Sequence, residues 1–327
     1  MTLTAVPGFK VGHALAPGGR SGCTVVLGPF RGAVEVRGMA TGTRELGVLS
    51  PFHLVDRIDA LLFTGGSAFG LSAADGIMAW LAEKGMGFDT GAGTVPLVPA
   101  AVIFDLTSGG AKPGADEGWK AAESATAEPV VEGSVGAGAG ATVGKLLGPS
   151  GASAGGIGSA SRPWGDGHVG ALAVVNALGE VRGEDGMILA GARGSDGAFV
   201  SSDALASQAD EAGSGLPGTN TTLAVVGTDL PLSRVDLGRI AKVASTAFPK
   251  AISPVNTPFD GDLVFAMSTA PETREFRSEE ILSLGVTARD LVEESIRRGV
   301  QKAAAHEAEN PDTRGSGSGP AAEGEEV

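Results

Sequence analysis

Pro217-Gly-Thr-Asn-Thr-Thr-Leu-Ala-Val-Val-Gly-Thr-Asp229 changes character at one peptide bond. Up to Asn220 it is polar and turn-forming, the end of a Gly-rich loop that starts near Ser207. From Thr221 it is β-branched and apolar, which reads as a strand. Such a junction can hold one peptide bond in a fixed geometry. If the Asn220–Thr221 bond is broken, Thr221 gains a free α-amine beside its own hydroxyl. An α-amine with an ordinary pKa of about 8 can serve as base for Thr Oγ with no histidine. The residues alone read more simply as a loop entering a strand, with Thr there for its β-propensity.

Outward from this junction, strand-like and helix-like segments alternate. Cys23–Leu27 and Val34–Val36 are short β-branched runs, and Ala60–Phe63 leads into Thr64-Gly-Gly-Ser-Ala-Phe-Gly70. Leu71–Lys84 places Leu71, Ala74, Ile77, Met78 and Leu81 on one helical face. Val102–Leu106, Val169–Val175 and Leu263–Met267 read as strands. A helix is expected from Ser233 to Thr246, with Ser233 and Asp236 as a capping box. Another is expected from Thr287 to Ala305, N-capped by Thr287. Ser108–Gly118, Gly133–Ser161 and Ser207–Asn220 carry no periodic pattern. With no linker before His306, residues 1–306 read as one α/β domain. From Glu307 onward six acids face one base around Thr-Arg-Gly-Ser-Gly-Ser-Gly-Pro, which predicts a disordered acidic tail over 307–327.

Composition narrows the function classes. The 327 residues are 42% hydrophobic and 19% charged, unlike a disordered chain. A net charge of −14 makes nucleic acid and anionic membranes poor partners. Cys23 stands alone, and His13, His53, His168 and His306 are scattered, so neither a disulfide nor a zinc site is expected. The N-terminus has no basic start followed by an apolar run, and no stretch reaches the roughly 20 apolar residues of a membrane helix. A soluble cytoplasmic protein is expected.

Three motifs invite chemistry. Val135-Gly-Ala-Gly-Ala-Gly-Ala-Thr-Val-Gly-Lys145 looks like a phosphate loop but has Ala139 and Leu146 where Gly and Ser/Thr belong. By itself Lys145 reads as a solvated surface charge. Thr64–Gly70 sets backbone N–H groups at a helix start, where an anionic or carbonyl oxygen is favoured, although the glycines equally suit a tight turn. Gly151-Ala-Ser153-Ala-Gly155 matches G-x-S-x-G, with Asp166 and His168 following, but lacks a strand-to-helix elbow.

Taken in order, these stretches resemble a self-processing aminopeptidase family. It includes L-aminopeptidase/D-esterase (DmpA), the β-peptidyl aminopeptidases and the nylon-oligomer (6-aminohexanoate oligomer) hydrolases. The resemblance runs from about Gly8 to Ala305. Its markers are Gly22-Cys-Thr-Val-Val26, Val36-Arg-Gly38, Thr64-Gly-Gly-Ser-Ala-Phe-Gly-Leu71, Val102-Ile-Phe-Asp-Leu106, Gly136-Ala-Gly138 with Gly144-Lys145, Ala173-Val-Val-Asn176, Asn220-Thr-Thr222 and Asp260-Gly-Asp262.

The resemblance implies a four-layer α-β-β-α sandwich of the type shared with ornithine acetyltransferase. It implies a precursor that cuts itself between Asn220 and Thr221 into chains 1–220 and 221–306, and Thr221 as the N-terminal nucleophile. It assigns Asn176 to the oxyanion, and Asp260 and Asp262 to the α-ammonium. Lys145 matches a lysine near the nucleophile in the nylon-oligomer branch, whose Asp-x-Asp also stands here. Gly65, Gly66 and Ser67 are expected to line the substrate pocket. Phe104 stands where that branch carries a site tyrosine. No cofactor or metal is implied. Substrates would be small peptides or 6-aminohexanoate oligomers, and the assembly a homo-oligomer, a tetramer of processed pairs. An ornithine/glutamate acetyltransferase shares the self-cleaving threonine and is the competing reading, as is a scaffold that never cleaves.

Overall fold

A computed structural model describes residues 1–208 and 220–309 of the chain. Most of the expected Ser207–Asn220 loop, and the expected tail from 310, lie outside the described residues. The main elements are β1 (Lys10–Leu15), β2 (Gly22–Val36), β3 (Ile58–Thr64), α1 (Ala73–Glu83), β4 (Ala100–Val102), α2 (Ala115–Glu123), β5 (Gly156–Trp164), β6 (Gly167–Asn176), β7 (Thr221–Thr228), α3 (Arg234–Ala244), β8 (Leu263–Ser268) and α4 (Ser278–Glu309).

Alternation along the strands sets the layers. On β7, Leu223 and Val225 face one side and Ala224 and Val226 the other. The large side chains meet Phe9, Phe30, Phe63, Leu172 and Phe265 in a core between two sheets. The small ones join Ala171, Ala173 and Ala266 under Leu237 and Ile240 of α3 and Leu284, Leu291 and Ile296 of α4. A third core puts Cys23, Val25, Ala60 and Leu62 against Ile77 and Leu81 of α1 and Ala121 of α2. The order is therefore helices, sheet, sheet, helices, the four-layer architecture expected. Phe63 and Phe265 are fully buried with ring centroids 5.7 Å apart, and truncating either to alanine should cost about 3–5 kcal/mol.

The hydrogen-bonded ladder runs β5-β6-β7-β8-β2-β3-β4 and ends at a two-residue strand, Thr43–Arg44, with β1 also on β2. The strands pair antiparallel except β7 with β8 and β3 with β4, which are parallel. β2 belongs to both layers: Arg31–Val36 pairs with β8, while Gly22–Leu27 lies between β1 and β3.

Several expectations are corrected. The two runs Cys23–Leu27 and Val34–Val36 are one strand. The strand expected over Val102–Leu106 ends at Val102, so Phe104 and Asp105 lie in the turn beyond it. α2 and β5 each begin inside an unpatterned segment. Gly156-Ile-Gly-Ser-Ala160 has little β-propensity, but pairing with β6 over its whole length overrides that.

The last helix begins at Ser278, not Thr287, and reaches Glu309. Its start is held by Glu280, whose carboxylate accepts the Arg277 N–H at 2.9 Å, and Thr287 sits inside it with Oγ1 on Ser283 O. Gly285 lies where α4 crosses α3, and a Cβ there would stand 3.0 Å from Val243 Cβ. Residues 307–309 thus belong to a helix rather than to a tail. No described helix is long and apolar enough to cross a membrane.

Candidate active site

The register of β6 on β7 sets Asn176 directly opposite Thr221. The parallel pairing of β7 with β8 continues one step back as a bridge between Asn220 and Asp260. Asp260-Gly-Asp262, the approach to β8, therefore runs beside the Asn220–Thr221 bond. Asn176, Asn220, Thr222 and Asp262 have no exposed surface, and Thr221 is 4% exposed.

At the bond itself, Thr221 Oγ1 donates to Asn220 O at 2.6 Å, and the Gly261 N–H donates to the same oxygen at 2.8 Å. Asp262 Oδ1 accepts the Thr222 N–H at 2.6 Å, and Oδ2 accepts that of Asn256 at 3.3 Å. Asp260 Oδ2 accepts the Thr257 N–H at 2.7 Å. The Asp-Gly-Asp segment is thus a buried clamp, not a solvated turn.

Lys145 lies in a short turn after Gly144, and its Nζ donates to Asn176 Oδ1 at 2.8 Å and Asn176 O at 3.1 Å. Asn176 Oδ1 also accepts the Thr142 N–H, while Nδ2 donates to Phe104 O at 3.1 Å. Phe104 thus meets the site through its backbone carbonyl. Parts of Lys145 reach the surface, but its ammonium is enclosed, so it is no solvated surface charge.

Burial governs the titration of this cluster. It pulls the Lys145 ammonium down to about 7 against the opposing pull of Asp260, Asp105 and Asp262. It pushes Asp262 up to about 8, helped by the neighbouring Asp260 carboxylate, and raises Asp260 as well. Burial thus favours the neutral form of both the amine and the carboxyls.

Asp105 is the group the motif reading passed over. It is 2% exposed, burial raises its pKa, and it faces Lys145. Its Oδ1 accepts the Gly66 N–H at 2.6 Å. The signal was present in Val102-Ile-Phe-Asp-Leu106, because an aspartate inside an apolar run must find a partner. That partner answers the question left open at Thr64–Gly70. Gly66 and Ser67 have left-handed φ values of 80° and 53°, and the anion at Gly66 is the chain's own carboxylate. The Gly65 and Ser67 N–H groups donate to Gly22 O and Ile103 O. All three are committed within the chain.

The remaining candidates lie elsewhere. Ser153 Oγ donates to Gly191 O at 2.7 Å, whereas His168 sits at the far end of β6 against Asp229. His13 is half-buried, its pKa lowered to about 4 by loss of solvation, and it bonds Thr24. The Cys23 thiol is buried and pushed up to about 12, hence inert. Two surface cavities of about 320 and 340 Å³, one beside His13 and one beside Arg31 and Arg234, include none of the residues around Thr221.

The model of peptidase family S58 matches residues 2–314. An uncharacterized aminopeptidase of Mycobacterium tuberculosis is 38% identical over 332 residues, covering 92% of this chain and 94% of that protein. A 6-aminohexanoate-oligomer endohydrolase of Agromyces sp. is 31% identical over 276 residues, 80% of this chain and 73% of the relative. Among solved structures, the L-aminopeptidase D-Ala-esterase/amidase of Ochrobactrum anthropi, described as a variant of the Ntn hydrolase fold, superposes with a TM-score of 0.66 at 21% identity. That match covers 91% of this chain and 85% of the other. These matches give no support to the acetyltransferase reading.

Proposed function

This chain belongs to peptidase family S58, and we propose that it is a self-cleaving amidohydrolase whose nucleophile is Thr221. The observation that carries the reading is the 2.6 Å contact from Thr221 Oγ1 to the carbonyl oxygen of the residue before it. An attacking oxygen so placed is already beside the Asn220 carbonyl carbon.

In the uncut chain, Oγ of Thr221 attacks the Asn220 carbonyl carbon and the C–N bond breaks. The hydroxyl proton passes to the departing nitrogen, by way of Lys145 as base. Water then hydrolyses the ester, leaving the Asn220 carboxylate and a free Thr221 amine. In the cut enzyme that amine takes over as base while Thr221 attacks a substrate amide. Asp260 and Asp262 hold the new ammonium, and Asn176, released from Phe104 O, turns an N–H toward the substrate oxyanion. Removing one such donor typically costs roughly 10²–10³ in rate. The near-complete burial of Thr221 fits a site that is closed until it is cut.

The substrates are small peptides or ω-amino-acid oligomers, since the chain's relatives include an aminopeptidase and a 6-aminohexanoate-oligomer endohydrolase. The active unit is a homo-oligomer of processed pairs formed from the domain 1–306. The test is N-terminal sequencing of working enzyme together with a Thr221→Ala variant. A fragment starting at Thr221, and one full-length inactive band for the variant, are expected. Two bands from Thr221→Ala, or an active wild type left whole, would exclude the reading.

A further inference from the structure

We infer that the backbone N–H of Gly261 is the electrophilic donor for self-cleavage, holding the Asn220 carbonyl oxygen as it becomes an oxyanion. The inference deepens the self-cleavage reading and rests on it. Two described groups donate to Asn220 O: Thr221 Oγ1 at 2.6 Å and the Gly261 N–H at 2.8 Å. They cannot serve alike. Once Thr221 Oγ bonds to the Asn220 carbon, it has given up its proton and no longer donates to that oxygen. The Gly261 N–H stays in place while the charge develops, which is the condition for transition-state stabilisation by a fixed donor.

The surrounding chain clamps this N–H. Asp260 O accepts the Ala40 N–H at 2.9 Å, and Asp262 O accepts those of Arg37 and Gly38 at 2.9 and 3.0 Å. Asp262 Oδ1 ties the same segment to Thr222. The absence of a side chain is part of the device. A Cβ at 261 would stand 2.8 Å from both Thr221 Oγ1 and Ala40 O, so a side chain there would push on the nucleophile and on Ala40. Asp260 and Asp262 then act on self-cleavage partly by position, as the two anchors of Gly261. The balance is unchanged from the acyl shift above: the C–O bond forms, the C–N bond breaks, the proton reaches the Thr221 nitrogen, and water completes the hydrolysis. The N–H gives up no proton.

The test exchanges the Gly261 amide for an ester in the full-length chain, by placing glycolic acid at 261. This removes the N–H and adds no atom near Thr221. First-order conversion to two bands should slow about 10²-fold, with fragments that still begin at Thr221. Conversion at the wild-type rate overturns the inference while leaving the self-cleavage reading intact. Failure of the wild type to cut at Asn220–Thr221 overturns both. A second measurement does not depend on how the ester variant folds. In uncut Thr221→Ala chain, the Gly261 amide should be protected from hydrogen exchange, and rapid exchange there would also overturn the inference.

Discussion

At one end of the β6–β7 pair Asn176 lies opposite Thr221, enclosed with Lys145, Asp260 and Asp262. At the other end His168 Nδ1 lies 3.3 Å from Asp229, with side chains 40% and 23% exposed. By residue type, the histidine–aspartate end is the one a reader of hydrolase sequences would choose. A polar contact so open to water contributes at most about 1 kcal/mol. The Asn176 end has no histidine. Yet burial pulls its lysine down to about 7 and pushes one of its carboxylates up to about 8. The same two strands therefore present one open and one enclosed polar cluster, and burial separates them.

Lys145→Met should break the contrast most. Removing the proposed base should slow self-cleavage by about 10²-fold or more, read as the rate of conversion to two bands. The sign of the pH dependence follows from the role. Only neutral Lys145 accepts a proton, so the wild-type rate should climb as pH rises through about 7. That limb should be missing in Lys145→Met, and a rate flat across neutral pH in the wild type would remove lysine from the mechanism.

Asp105→Asn should do less and sharpen the picture. The amide still has an oxygen to accept the Gly66 N–H, but one negative neighbour of Lys145 is lost. The ammonium then loses support, so the rising limb should move to lower pH while the plateau rate falls within about tenfold. A limb moving to higher pH would contradict this arrangement of charges. His168→Ala should do least. Cutting and hydrolysis should stay within about twofold, and unfolding should shift by no more than about 1 kcal/mol. A large loss of activity there would make the open end catalytic after all.

The elements with strong local patterns were legible. Ser233 accepts the Asp236 N–H as the sequence of α3 implied, and β6, β7 and β8 lie where β-branched runs placed them. What failed were segments whose composition argues against their structure. β5 is built from Gly, Ser and Ala, and α2 follows Pro113 inside a Gly-rich stretch. Both are held by neighbours rather than by propensity. At the site, Lys145, Asn176, Thr221 and Asp260–Asp262 were legible only as an ordered set of motifs, since each taken alone had a plainer reading. Asp105 and Gly261 were missed because one acts through a partner 39 residues away and the other through a backbone N–H, and neither leaves a spacing to read.

By itself the sequence determined the alternation of elements, the abrupt change at Asn220–Thr221 and the scarcity of histidine, all properties of local order and composition. Tertiary structure alone decided which groups are buried together at this end of the sheets. Strand register brought Asn176 to Thr221 and laid Gly261 along the bond before it. Titration depends on that enclosure, so the chemistry of Lys145 and Asp262 arises only once the two sheets have closed over them.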